Sequence, residues 1–158
     1  MKTKIQNDGR RSQDDAERKT TLVNLHRVGL RKGEAEIRED GEVIIRGRWT
    51  YVGRKNLRFG IPASRWGNPY CLGRDGTREN LVMHYKVHIF YEPELLGLVH
   101  ILKGRTLACW CAPKLCHGEI LIRLAEAAFE MKEAGEQVTK GLLFAKAGFG
   151  ERWNDDEV

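Results

Sequence analysis

The sequence predicts a small single α/β domain, with a mostly parallel sheet, flanking helices and a flexible N-terminal arm. Three observations carry this. Residues 77–132 alternate helix, strand and helix with short links, the pattern of parallel strands joined by right-handed crossovers. Runs rich in Val, Ile, Trp and Tyr before residue 53 supply further strands. Residues 1–19 are polar, of mixed and basic charge, and cannot bury enough apolar surface to order themselves. The 158 residues, 41% hydrophobic and 31% charged, are the length and make-up of one globular domain. The expected division is an arm at 1–19, an α/β domain at 20–135 and a C-terminal extension at 136–158.

The first strand is expected over 20–27, where Leu22, Asn24 and His26 alternate with Val23 and Leu25. His26 would lie at its C-terminal end, where ligand groups gather in open α/β sheets, although a structural histidine reads equally from the pattern. Residues 28–42, rich in Gly, Arg and Glu, read as a surface excursion. Strand character returns over 42–52, and Gly47 divides it into two strands or puts a bulge into one. Thr77 is an N-cap for a helix whose buried stripe is Leu81, Val82, Tyr85 and Ile89. His84 and His88 flank that stripe as surface or boundary residues. After Glu92-Pro93 a short helix covers 95–102, with Lys103-Gly104 as its C-cap. A strand follows over 106–111. The strongest helical pattern is 118–132, carried by Ile120, Leu121, Leu124, Ala125, Ala128 and Met131. Leu142 to Ala145 add a short helix or an edge piece, and 153–158 form an acidic tail.

The chemistry concentrates in residues 105–118, Arg-Thr-Leu-Ala-Cys-Trp-Cys-Ala-Pro-Lys-Leu-Cys-His-Gly. Cys109 and Cys111, two apart on a strand, share a face. Cys116 and His117 return after a turn at Pro113, at the start of the long helix. A helix N-terminus presents free N–H groups to anions and favours a thiolate beside it, Cys116 above all. Cys116, His117 and Glu119 are therefore the candidate nucleophile and acid–base groups. Cys109, Cys111, Cys116 and His117 also make a three-cysteine, one-histidine set of the kind that binds zinc, though C-x-C-x4-C-H is not a common zinc-ribbon spacing. The alternative is that Cys109 and Cys111 are simply small buried residues of a core strand. A C-x-x-C redox pair is absent, as is a cysteine followed by five residues and an arginine.

A second decorated stretch is Pro62-Ala-Ser-Arg-Trp-Gly-Asn-Pro-Tyr70, which has no periodicity and reads as a specifically shaped loop. Arg65 and Asn68 can reach an anion or a base edge, and Trp66 and Tyr70 can stack on a ring. With Arg54, Ser64, Gly67 and Gly118 they complete the candidate ligand set. The competing reading is a structural loop with Trp66 plugging the core.

Tyr-Val-Gly-Arg (51–54), Ser-Arg-Trp-Gly-Asn-Pro-Tyr (64–70), Asp-Gly-Thr-Arg-Glu (75–79) and the stretch 102–118 occur in an order and spacing that resemble the domain of unknown function 4326 family, small proteins of bacteria and their phages. The resemblance covers about residues 20–127. It implies a phage or bacterial origin and a compact α/β domain, and it brings no activity. The segment 28–50 is longer here than in the compact family pattern.

The net charge of +5 suits a phosphate-bearing small molecule or weak nucleic-acid contact, and equally a solubility charge. No run is long and apolar enough for a membrane span and the first residues lack a signal-peptide core, so the expected location is the cytoplasm of a bacterial host cell, with reduced cysteines. The leading reading is a domain that binds, and in one form processes, a nucleotide-like or phosphorylated small molecule at the Cys/His junction. The anion would meet the N–H groups of Cys116–Gly118, with Arg54 and Arg65 as counter-charges. The alternative is a non-catalytic, zinc-stabilised module that binds nucleic acid or a host protein. A third is a phage accessory protein that inhibits a host factor. Zinc is the one candidate cofactor; substrate, reaction and oligomeric state are not specified by these residues.

Overall fold

The computed structural model describes residues 17–150. Most of the expected arm, and the acidic tail, lie outside the described residues. Among the described residues, five strands form one sheet: β1 (Thr21–Asn24), β2 (Ala35–Ile37), β3 (Val43–Ile45), β4 (Trp49–Tyr51) and β5 (Thr106–Cys109). The helices are α1 (Arg78–Phe90), α2 (Pro93–Leu98), α3 (His117–Glu133) and α4 (Lys140–Lys146). No helix among the described residues is long and apolar enough to cross a membrane.

The sheet order is β1-β5-β4-β3-β2. Strand β5 lies in parallel between β1 and β4, whereas β3 is antiparallel to both β4 and β2. The expectation of a mostly parallel sheet therefore fails in its outer half. The cause is local. Arg46 and Gly47 have positive φ values of 51° and 65°, and the Arg48 N–H donates to the Ile45 carbonyl at 3.1 Å. Positive φ at both central positions marks a type I′ turn, which folds β3 straight back onto β4. Arg46 is held in this unfavourable backbone region by its side chain, which donates to Glu34 and to the carbonyls of Val28 and Gly29.

Strand β1 is shorter than the alternation suggests. The Asn24 side chain accepts the His26 N–H at 2.8 Å and turns Leu25–Arg27 into a 3-10 turn. Within the expected excursion, Ala35–Ile37 pairs with β3 and becomes the sheet edge. Helix α1 starts at Thr77 through a reciprocal cap: Thr77 Oγ1 accepts the Asn80 N–H, and Asn80 Oδ1 accepts the Thr77 N–H.

One face of the sheet carries all four helices. Leu107 and Cys109 of β5, with Val52, pack there against Tyr85, Ile89, Leu121, Leu124 and Phe144. The C-terminal helix α4 thus shares this core through Leu143 and Phe144. The other face is covered by irregular chain: Leu25, Leu30 and Ile61 pack on Val43, Ile45, Tyr51 and Ala108. The start of β1 is tied to the middle of α3. Glu126 accepts the Thr20 N–H and hydroxyl at 2.9 and 2.7 Å and pairs with Lys103 at 2.6 Å.

Candidate functional site

Parallel strands gather their C-terminal ends at one edge of the sheet, the usual place for a ligand in such arrangements. Here the ends of β4 and β5 run into Val52–Arg54 and Trp110–Cys116, and α3 begins immediately after. The bend is pinned from β1, because Asn24 Nδ2 donates to the Ala112 carbonyl. Gly118 lets α3 start so close to the sheet: a Cβ there would meet Leu22 Cδ1 at 2.7 Å.

A cavity of about 250 Å³ opens at this edge, lined by Arg54, Asn68, Tyr70, Arg78, Cys109, Cys111, Cys116 and His117 among others. Among the described residues, no Asp or Glu lines it. A larger cavity of about 520 Å³ lies among α1, α2, α3 and α4, walled largely by side chains such as Phe90, Leu96, Ala128 and Leu143. It holds no cysteine or arginine, so the smaller cavity carries the chemistry.

Cys109, Cys111 and Cys116 line the same cavity, close enough for each thiol to shift the ionisation of the others. Cys116 is also the N-cap of α3, its Sγ accepting the Gly118 N–H at 3.4 Å. Its bonds to the neighbouring sulfurs, and then burial, keep Cys116 protonated well above the usual thiol range. Cys111 moves the other way. The Cys116 hydrogen bond lowers it most; burial opposes this, and Arg78 and the Arg54 charge add to the lowering, down to about 6. Cys109 is lowered as well, chiefly by the same bond. One S–H can serve only one acceptor at a time, so the arginines decide which sulfur carries the charge, and they favour Cys111.

His117 is buried, and its Nε2 bonds the Val52 carbonyl at 2.7 Å while Nδ1 faces Cys116 Sγ at 3.8 Å. Burial drives the imidazole down to about 4, against the pull of the Val52 and Trp66 carbonyls. The ring is neutral at pH 7. Its N–H sits on Nε2, which leaves the Nδ1 lone pair toward Cys116. Tyr85, packed on this ring at 4.7 Å, is buried and donates to the Trp66 carbonyl.

The residues singled out from sequence divide into two groups. Cys109, Cys111, Cys116, His117, Arg54, Asn68 and Tyr70 come together at the cavity. Ser64, Arg65, Trp66, Gly67, Gly118 and Glu119 are not among its lining. Arg65 turns to Glu42, at 3.2 Å, and to the Asp40 carbonyl. Trp66 is fully buried and donates from Nε1 to Glu42 at 2.9 Å, so it is a core residue. Ser64 Oγ accepts the Trp66 N–H. Gly67 is needed where the loop crosses β4's end, since a Cβ would stand 3.0 Å from the Gly53 carbonyl. Glu119 is exposed. Of the N–H groups expected to meet an anion, at Cys116–Gly118, that of Gly118 is already engaged by Cys116 Sγ; the next, of Glu119, bonds the Cys116 carbonyl.

His26 packs edge-on against Trp110 at 4.8 Å. Cys71 lies at the rim, its Sγ touched by Arg54. Arg78, which also lines the cavity, carries no mark of a site residue in the sequence beyond its place in Asp75-Gly-Thr-Arg-Glu79, one residue after a helix cap. Among the described residues, no group of three or more His, Cys, Asp or Glu side chains is arranged to hold a metal ion.

A family model, "Domain of unknown function (DUF4326)", matches residues 28–127, more than half of the 158-residue chain. "Uncharacterized protein R718" of Acanthamoeba polyphaga mimivirus is 30% identical over 105 residues, which is 61% of this chain and 76% of that protein. No solved structure matches significantly. Every residue named above as lining the smaller cavity falls within the matched span.

Proposed function

The chain belongs to the DUF4326 family, a domain of unknown function, and from the cavity its fold builds we propose that it binds a small phosphorylated molecule, up to the size of a mononucleotide, between Arg54 and Arg78. The observation that carries this reading is the cavity lining itself: two guanidinium groups, no carboxylate, and a mouth at the ends of two parallel strands. At about 250 Å³ it falls just below the usual ~300–1,000 Å³ of ligand pockets. A sugar phosphate or a mononucleotide suits that volume, and a dinucleotide does not. The positive end of α3 adds a favourable potential, although the Gly118 N–H is taken by Cys116 Sγ. Tyr70 supplies an aromatic wall. Its ring is already braced by His84 at 5.0 Å, so a flat group can lie on it at little ordering cost.

The test is calorimetric titration with inorganic phosphate, ribose 5-phosphate and a nucleoside monophosphate. Arg78→Ala is expected to weaken binding about tenfold or more, the scale of one lost hydrogen bond to a charged group. Arg54→Ala should act in the same direction. Binding that is absent at millimolar ligand, or unchanged in the double variant, overturns the reading.

A further inference from the structure

Three sulfurs share the cavity, but they are not equivalent. Cys109 and Cys116 are buried, at 1% and 2% exposure. Cys111 is only partly buried, and the bend beyond it, Pro113 to Leu115, is exposed. Cys111 therefore presents the most approachable sulfur at the cavity wall. It shares the cavity lining with the Cys116 thiol and the Arg78 guanidinium, one a proton donor and the other a fixed positive charge.

The same lining disfavours hydrolysis: among the described residues no Asp or Glu lines the cavity, and the one imidazole there, His117, faces Cys116 Sγ with its Nδ1. His117 cannot serve as the cationic partner of a cysteine, because burial keeps it neutral and its Nε2 is tied to the Val52 carbonyl. What the site does provide is a sulfur nucleophile, a nearby S–H, and a cation beside both. Addition to a carbonyl needs those three and no leaving group.

We propose that Cys111 adds reversibly to the aldehyde carbon of a phosphorylated aldehyde whose phosphate is held by Arg54 and Arg78, which rests on the anion-binding reading above. In the step, a Cys111 Sγ lone pair forms the S–C bond and the carbonyl π pair moves onto oxygen. The Cys116 S–H supplies the proton to that oxygen. The product is a neutral thiohemiacetal on Cys111 and a thiolate on Cys116, so the cavity holds one thiolate before and one after. The neighbouring sulfurs, and then burial, hold the Cys116 thiol above the usual range while Cys111 carries the charge. Once Cys111 is bonded to carbon, that constraint weakens. The Gly118 N–H on Cys116 Sγ and the positive end of α3 then favour the new thiolate. The reverse step releases the aldehyde and needs no further reactant.

Carbon-13 NMR of the full chain with glyceraldehyde 3-phosphate labelled at its aldehyde carbon tests this. The wild-type protein is expected to give a new protein-bound signal from a saturated carbon carrying sulfur and oxygen. Glycerol 3-phosphate, labelled at the matching position, should bind without it. Cys111→Ser and Cys111→Ala should each lose the signal, and a cooperative thermal unfolding transition close to that of the wild type shows that the variants are folded. If wild-type protein binds inorganic phosphate but gives no adduct, or if the adduct survives in both Cys111 variants, the covalent step is overturned and the anion site stands. Failure of inorganic phosphate to bind overturns both.

Discussion

Two stretches of this chain look equally equipped in composition, the loop 62–70 and the bend 109–118, and the fold uses them in opposite ways. In the loop nearly every polar group is satisfied inside the protein. Ser64 bonds the Trp66 N–H, Arg65 pairs with Glu42, and Trp66 Nε1 bonds the same carboxylate. Asn68 donates to the Leu81 carbonyl and accepts the Tyr70 N–H. In the bend, Cys111 and Cys116 both line a cavity wall, together with Arg78. An arginine and an aromatic ring in an irregular loop therefore point to a ligand only where their partners are not already supplied by the chain. The loop is scaffold for the bend, and its contribution to the cavity comes from its last residues, Asn68 and Tyr70.

The comparison is broken most directly at Trp66. It fills the core beneath the cavity, and its ring is one of the largest fully buried side chains. Trp66→Ala is expected to cost about 3–5 kcal/mol, the range for truncating a large aromatic core residue. Thermal unfolding should register this as a fall of roughly 10 °C for a chain of this size. A loss below about 1 kcal/mol would mean that Trp66 is not the plug described here. Trp66→Phe sharpens the point. It keeps most of the volume and removes only the bond to Glu42, so a loss of about 1–3 kcal/mol is expected.

How far these roles were legible in the sequence follows from the kind of signal each leaves. Helices α1 and α3 were readable because their apolar spacing and caps are local properties. The bend was readable because cysteine and histidine are few and their clustering is visible in one dimension. Strand β2 was not readable: Ala35-Glu36-Ile37 carries no strand pattern and exists through pairing with β3. The mixed sheet escaped for a related reason, since an Arg-Gly turn with positive φ at its arginine is not among the common hairpin signals. The role of Trp66 depended on Glu42, which lies 24 residues away and is 1% exposed, where a lone glutamate in sequence reads as surface. Arg78 escaped because an arginine in a first helical turn carries no functional mark until the cavity is seen.

A smaller effect is expected at Arg65. Its guanidinium is partly exposed and neutralises a buried carboxylate, so Arg65→Ala should lower stability by about 1–2 kcal/mol, less than for a fully buried pair. Titration with inorganic phosphate should give the wild-type affinity within about twofold. A tenfold loss of phosphate affinity, matching that of Arg78→Ala, would put the loop back into the site and erase the distinction between the two stretches.

The finest distinction is among the sulfurs, read through the pH dependence of alkylation by iodoacetamide followed peptide by peptide. Cys111 is lowered to about 6, first by the Cys116 hydrogen bond. A lowered thiol pKa means that the thiolate is present above that pH and lost below it, so labelling of Cys111 should fall as pH drops through 6 and be flat above 7. At pH 6.5 the thiolate fraction greatly exceeds that of a free cysteine, but a less basic sulfur is also a weaker nucleophile. The two effects leave a net advantage of roughly five- to tenfold. Cys116→Ala removes the donor, so the midpoint should climb toward the ordinary value of about 8.5 and the advantage should vanish. Arg78→Ala should raise the midpoint by less, because charge and hydrogen bond from Arg78 rank behind the Cys116 contact. A Cys111 profile that is unmoved by Cys116→Ala would show that the two sulfurs do not share a proton, and the bend would then be no more reactive than any other exposed turn.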